Sequence, residues 1–112
     1  RKGPQVAAAV ERFGEKVIGI PGDVSTVERG KAIAAAIAER ETKLDILINN
    51  AGAAWGAPFE EFPESGWDKV MDVNVKGPFF LTQALYPLLK AAGTAERPAK
   101  VVNVGSIDGL RL

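Results

Sequence analysis

Leu44-Asp45-Ile46-Leu47-Ile48-Asn49-Asn50-Ala51-Gly52 is the stretch that decides the fold. Four of its first five residues are aliphatic, and the run ends on a corner of two asparagines, an alanine and a glycine. A nearly unbroken apolar run closed by turn residues predicts a strand buried on both faces. Such strands belong to parallel sheets covered by helices, where ligands bind beyond the strands' carboxyl ends. The corner after Ile48 is therefore the first place to look for function. Asn tolerates unusual backbone angles, and Ala51 and Gly52 let a ligand approach closely.

Working outward, Lys16-Val17-Ile18-Gly19-Ile20 predicts an earlier strand, closed by Pro21-Gly22, and Lys100-Val101-Val102-Asn103-Val104 predicts a later one. Pro4 opens a helix over Gln5–Phe13 with Val6, Val10 and Phe13 on one stripe, and Gly14 stops it. Ser25-Thr26-Val27-Glu28 has the pattern of a capping box, with a helix running to about Arg40. A longer helix is expected from about Gly66 to Ala91, capped by Ser65 and apolar on two sides. Its second apolar side, with Val73, Phe80 and Ala84, is expected to meet solvent or a partner. Helices alternating with strands predict an α/β parallel sheet. Three corners then open on one edge: Gly22-Asp23-Val24, Asn49-Asn50-Ala51-Gly52 and Gly105-Ser106.

Bulk composition narrows the function classes. The 112 residues are 46% hydrophobic and 25% charged, as in a globular domain. Fourteen basic residues balance fourteen acidic ones, which leaves no electrostatic footprint for nucleic acid. No apolar run approaches the roughly 18 residues of a membrane span. There is no Cys, and the absence of His excludes His-based metal sites and Ser-His or Cys-His nucleophiles. Gly105-Ser106-Ile107-Asp108-Gly109 is not the G-x-S-x-G of a hydrolase elbow.

The three corners, with Asn74 in the long helix, resemble the short-chain dehydrogenase/reductase family. Asp23-Val24 is similar to the family's adenine-binding Asp, and Asn49-Asn50-Ala51-Gly52 is its NNAG motif. Asp72-Val73-Asn74-Val75 matches the helix carrying the active-site Asn, and Val102-Asn103-Val104-Gly105-Ser106 the strand delivering the catalytic Ser. Four motifs stand in the family's order. Trp55-Gly56, Gly66-Trp67 and Ser106-Ile107-Asp108-Gly109-Leu110 are most similar to reductases of the 3-oxoacyl-carrier type, including the rhamnolipid-pathway kind.

The resemblance implies a Rossmann-like doubly wound parallel sheet, here incomplete, with about three strands and three helices. It implies an oxidoreductase moving a hydride between NAD(P) and a carbonyl or alcohol. Ser106 and Asn74 would be its catalytic residues, and Arg1, Asp23, Val24, Asn50, Ala51 and Gly52 would bind the cofactor. Ser106 would hydrogen-bond the substrate carbonyl, and the main chain of Asn74 would hold a relay water. Pro78, four residues on, has no N–H for the Asn74 carbonyl, so the helix is expected to kink there and leave that carbonyl unpaired. Arg1 would pair with a 2′-phosphate, favouring NADP over NAD. A small carbonyl or acyl substrate, a cytoplasmic location and a homo-oligomer formed through the long helix complete the expectation.

Two family signatures have no counterpart. No G-x-x-x-G-x-G phosphate loop occurs, and the family's Tyr-x-x-x-Lys pair would lie beyond Leu112. Tyr86 has Lys90 four residues on, but it precedes Ser106 and is not read as catalytic. Residues 1–112 therefore read as a partial NAD(P)-binding domain, expected to be inactive alone. The competing expectation is a non-catalytic segment with packing or binding roles.

Overall fold

The computed structural model describes residues 3–110. In chain order these form α1 (Gly3–Phe13), α2 (Val27–Ala38), β1 (Ile46–Asn49), α3 (Glu64–Met71), a π turn (Asp72–Lys76), α4 (Gly77–Ala92) and β2 (Lys100–Asn103). Short 3-10 turns lie at Phe59–Glu61 and Ile107–Gly109. β1 and β2 pair in parallel, with Ile46 opposite Lys100 and Asn49 opposite Asn103. Such a pair needs a crossover, which here runs through α3, the π turn and α4.

The core lies between α2 and α4. Leu81, Leu85 and Leu89 recur every fourth residue along α4 and meet Ala34 of α2. Leu85 is completely buried, and a leucine so placed gains about 1.5–3 kcal/mol from leaving water. Leu44, Leu47 and Ala99 bring the sheet onto the same cluster, and the Leu44 N–H donates to the Leu88 carbonyl at 3.0 Å. α4 thus fixes the height of both strand ends.

Several expectations need correction. Lys16–Ile20 forms no strand, and no strand among the described residues pairs with it. A β-rich run becomes a strand only beside a partner ladder, and Val17 and Ile18 stay exposed. β1 is covered on one face only: Leu47 packs on the core, while Ile46 and Ile48 are 54% and 59% exposed. The helices carrying the core all lie on the Leu47 side. Thr26, not Ser25, caps α2, its hydroxyl accepting from the Arg29 N–H at 3.2 Å. Ser25 is occupied instead with Asp23. α3 starts at Glu64 behind Pro63 without a side-chain cap, so Ser65 lies inside it.

The face named by Val73, Phe80 and Ala84 also sits differently, because all three are half-buried and Ala84 touches the core. The exposed apolar stripe of this helical run is Val75, Phe79 and Tyr86. In α1, Val6 and Val10 press on Gly19, whereas Phe13 is 64% exposed. No helix among the described residues is long and apolar enough to cross a membrane.

Candidate functional site

Two of the expected corners are well defined, and the same stretch of helix packs against both. The first is Gly22-Asp23-Val24. One oxygen of the Asp23 carboxylate accepts the Ser25 N–H at 2.8 Å, closing an Asx turn, and the other accepts from Arg29 Nη1 at 2.5 Å. The Ser25 backbone N–H is the main reason the Asp23 carboxyl is held below its usual range, and Arg29 adds to it. Asp23, Val24 and Arg29 line a cavity of about 770 Å³ with Ile20, Ile33, Ala51 and Val73.

Val24 is pressed against the helix. A side-chain carbon built at Gly77 would stand 2.1 Å from the Val24 carbonyl oxygen. Only a residue without one fits, so Gly77 sets how closely the first corner approaches the helix that carries Asn74.

The second corner joins the ends of β1 and β2. Asn49 Nδ2 donates to Asn103 Oδ1 at 2.9 Å and to Thr82 Oγ1 at 3.2 Å. Thr82 in turn donates to the Pro78 carbonyl at 2.7 Å. The chain of bonds ties both strand ends to the first turns of α4.

Asn74 sits in the middle of the π turn. Pro78 cannot supply the N–H an α-helix would need there, and the helix widens, the Gly77 N–H reaching the Asp72 carbonyl. π turns of this kind recur at functional sites. The widened turn aims the Asn74 side chain at the loop after β1. Its Nδ2 donates to the Ala53 carbonyl and its Oδ1 accepts the Ala53 N–H, both at 2.9 Å. A side-chain amide here replaces a strand neighbour for the Asn50–Ala53 corner.

Ser106 follows β2. Its Oγ accepts the Asp108 N–H at 3.1 Å and caps the 3-10 turn at Ile107–Gly109. Capping uses an acceptor site of the hydroxyl, and among the described residues its proton has no acceptor. Ser106, Asn50, Ala51, Gly52 and Asn74 all line a second cavity of about 940 Å³.

The structure thus brings Asp23, Val24 and Ala51 to one cavity and Asn50, Ala51, Gly52, Asn74 and Ser106 to the other. Ala51 is in both walls, so the cavities adjoin. Arg1 lies outside the described residues. Tyr86 also lines the second cavity, without Lys90. Sequence reasoning missed Arg29, Thr82, Ala53 and Gly77, and it read Asn103 only as part of a strand. An asparagine inside the apolar run Val101-Val102-Asn103-Val104 was a readable signal, since an amide there needs a partner.

Comparison with known proteins agrees with this geometry. The profile of the short chain dehydrogenase family matches residues 1–111. A rhamnolipid-biosynthesis 3-oxoacyl-(acyl-carrier-protein) reductase of Pseudomonas aeruginosa is 47% identical over 91 residues, covering 81% of this chain and 36% of the relative. A solved Pseudomonas aeruginosa RhlG/NADP active-site complex superposes with a TM-score of 0.77 at 48% identity, over 80% of this chain and 35% of that one. An NADH-dependent reductase A1-R′ of alginate metabolism gives a TM-score of 0.76 at 29% identity, over 82% of this chain and 38% of that one. The chain spans little more than a third of the length of these relatives. It belongs to the short-chain dehydrogenase family and carries part of that family's Rossmann-like fold.

Proposed function

We propose that this chain forms the central part of an NAD(P)-dependent carbonyl reductase, with a 3-oxoacyl thioester as the substrate class. The observation that carries the reading is Ala51, shared by the walls of two cavities. A dinucleotide has two dissimilar halves, and the adjoining cavities offer dissimilar surroundings. One presents Asp23 and Arg29, the other the Ser106 hydroxyl and the amide of Asn74. The first suits an adenosine, with Asp23 accepting from the adenine amino group and Val24 alongside. The second suits a nicotinamide and a carbonyl, with Asn50, Ala51 and Gly52 as the floor between.

When bound, the nicotinamide ring supplies the hydride. The Ser106 O–H donates to the substrate carbonyl oxygen and stabilises negative charge developing there. Asn74 holds Ala53, and through it the corner, in fixed relation to the helix. The name of the 47% identical relative supports the 3-oxoacyl class. NADP is favoured over NAD because the family resemblance pairs Arg1 with a 2′-phosphate and because the RhlG neighbour is an NADP complex. The A1-R′ neighbour is NADH-dependent, so both cofactors belong in the assay.

The 112 residues hold no G-x-x-x-G-x-G, and by themselves they are expected not to turn over. The test uses the longest natural form of the protein with C4-deuterated NADPH or NADH and a 3-oxoacyl thioester. Deuterium on the product's carbinol carbon supports the reading. Cofactor that is never oxidised by any carbonyl substrate overturns it.

A further inference from the structure

Among the described residues lining the first cavity, Asp23 and Arg29 carry the only charges. The ion pair between them is exposed, with 62% of the Arg29 side chain and 48% of Asp23 open to solvent. Pairs of that kind add little stability. Nor is Arg29 needed to hold the turn, because the Ser25 N–H already anchors Asp23. What the pair does accomplish is geometric. It sets a carboxylate acceptor and a guanidinium donor side by side at the edge of an otherwise largely apolar cavity. Arg29 spends one N–H on Asp23, and its remaining side-chain N–H groups meet no acceptor among the described residues.

We propose that Asp23 and Arg29 form a purine-reading pair in which Arg29 donates to a ring nitrogen beside the exocyclic amine that Asp23 accepts. An adenine edge presents this complement, an N–H donor flanked by an acceptor nitrogen. A 6-oxo purine presents an acceptor to the carboxylate and is rejected. Arg29 is then a cofactor-binding residue in its own right. The apolar walls supplied by Ile20, Ile33 and Val73 receive the ring's faces. The inference rests on the dinucleotide reading above and adds to it the group that fixes the base.

The test measures binding, not turnover, on the longest natural form of the protein. ADP, 1-deaza-ADP and 7-deaza-ADP are titrated by calorimetry into the parent, Arg29→Ala and Arg29→Lys. Arg29 is solvent-exposed, so both variants should fold. In the parent, one of the two deaza compounds should bind about tenfold more weakly than ADP, the size of one lost charge-assisted hydrogen bond. In Arg29→Ala the penalty for that compound should vanish, with ADP itself weakened about tenfold. Arg29→Lys, which keeps the charge but not the planar fork, should recover part of the difference. Equal binding of all three nucleotides to the parent overturns the inference, as does a deaza penalty that survives in Arg29→Ala. Both results leave the dinucleotide reading standing. A parent that binds neither ADP nor NADPH removes that reading and this inference together.

Discussion

The two corners are held by different chemistry. At the first, a charged group is at the centre: the Asp23 carboxylate is anchored by the Ser25 N–H, with Arg29 paired beside it, on an exposed loop without a strand next to it. At the second, neutral amides do it. Asn49 links both strand ends to α4, and Asn74 clasps Ala53 in both directions. A charged anchor in water is adjustable and salt-sensitive, which suits the recognition of a base. A network of short neutral bonds resists displacement, which suits the placing of a reacting carbonyl to fractions of an ångström. On the proposed function, binding and chemistry are built separately and meet at Ala51 and Gly77.

Gly77 is where the first corner presses hardest on the helix. Gly77→Ala would drive a methyl group into the Val24 carbonyl, and backbone cannot move aside as a flexible side chain would. The expected loss is about 1–3 kcal/mol in denaturant unfolding, together with weaker cofactor binding as Val24 retreats. Unchanged stability and cofactor affinity would show that the corners are not coupled through this contact. Asn74→Leu comes next. It removes both bonds to Ala53, and with each worth about 0.5–1.5 kcal/mol net, a loss of about 1–3 kcal/mol is expected. Amide exchange at Ala53 should rise in this variant while exchange at Ser25 stays as it was.

The smallest effect concerns pH. The Asp23 carboxyl is held below its ordinary value of 3.8 chiefly by hydrogen bonds from Ser25, its backbone N–H foremost, with Arg29 contributing less. A carboxyl depressed in the folded state contributes stability above its unfolded pKa. That contribution is lost as pH falls through the lower, folded value. Carbon NMR titration of Asp23 should therefore show most of the depression surviving Arg29→Ala and much less of it surviving removal of the Ser25 bond. A carboxyl that returns fully to its ordinary value in Arg29→Ala would mean that the ion pair, not the turn, sets its charge.

How much of this was legible beforehand follows the range of each interaction. β1, β2 and the helical run from α3 through α4 were readable because their apolar spacing is local, and each was found within a few residues of its expected limits, although the run is one helix broken by a π turn. The Asn-Asn-Ala-Gly corner and the disruption ahead of Pro78 were readable for the same reason, although the helix answers the proline with a π turn. Lys16–Ile20 was misread because a strand is a property of two segments and only one was in view. The choice of Thr26 over Ser25 as cap depended on Asp23 claiming the Ser25 N–H. Arg29 sat in plain sight as a helical surface residue, and only the fold shows that it faces a cavity. Gly77 could not be explained from its neighbours in the chain, since the atom it makes room for belongs to Val24.

If one corner binds and the other reacts, a pair of variants separates the two in a single kinetic series. In the longest natural form of the protein, Ser106→Ala should lower kcat about 10²–10³-fold, as for loss of one donor to a developing oxyanion, and leave the cofactor's KM within about twofold. Asp23→Ala should do the reverse, raising the cofactor's KM about tenfold with kcat nearly unchanged. If instead both variants lower kcat and raise KM in the same proportion, the two corners are one site and the division drawn between them is wrong.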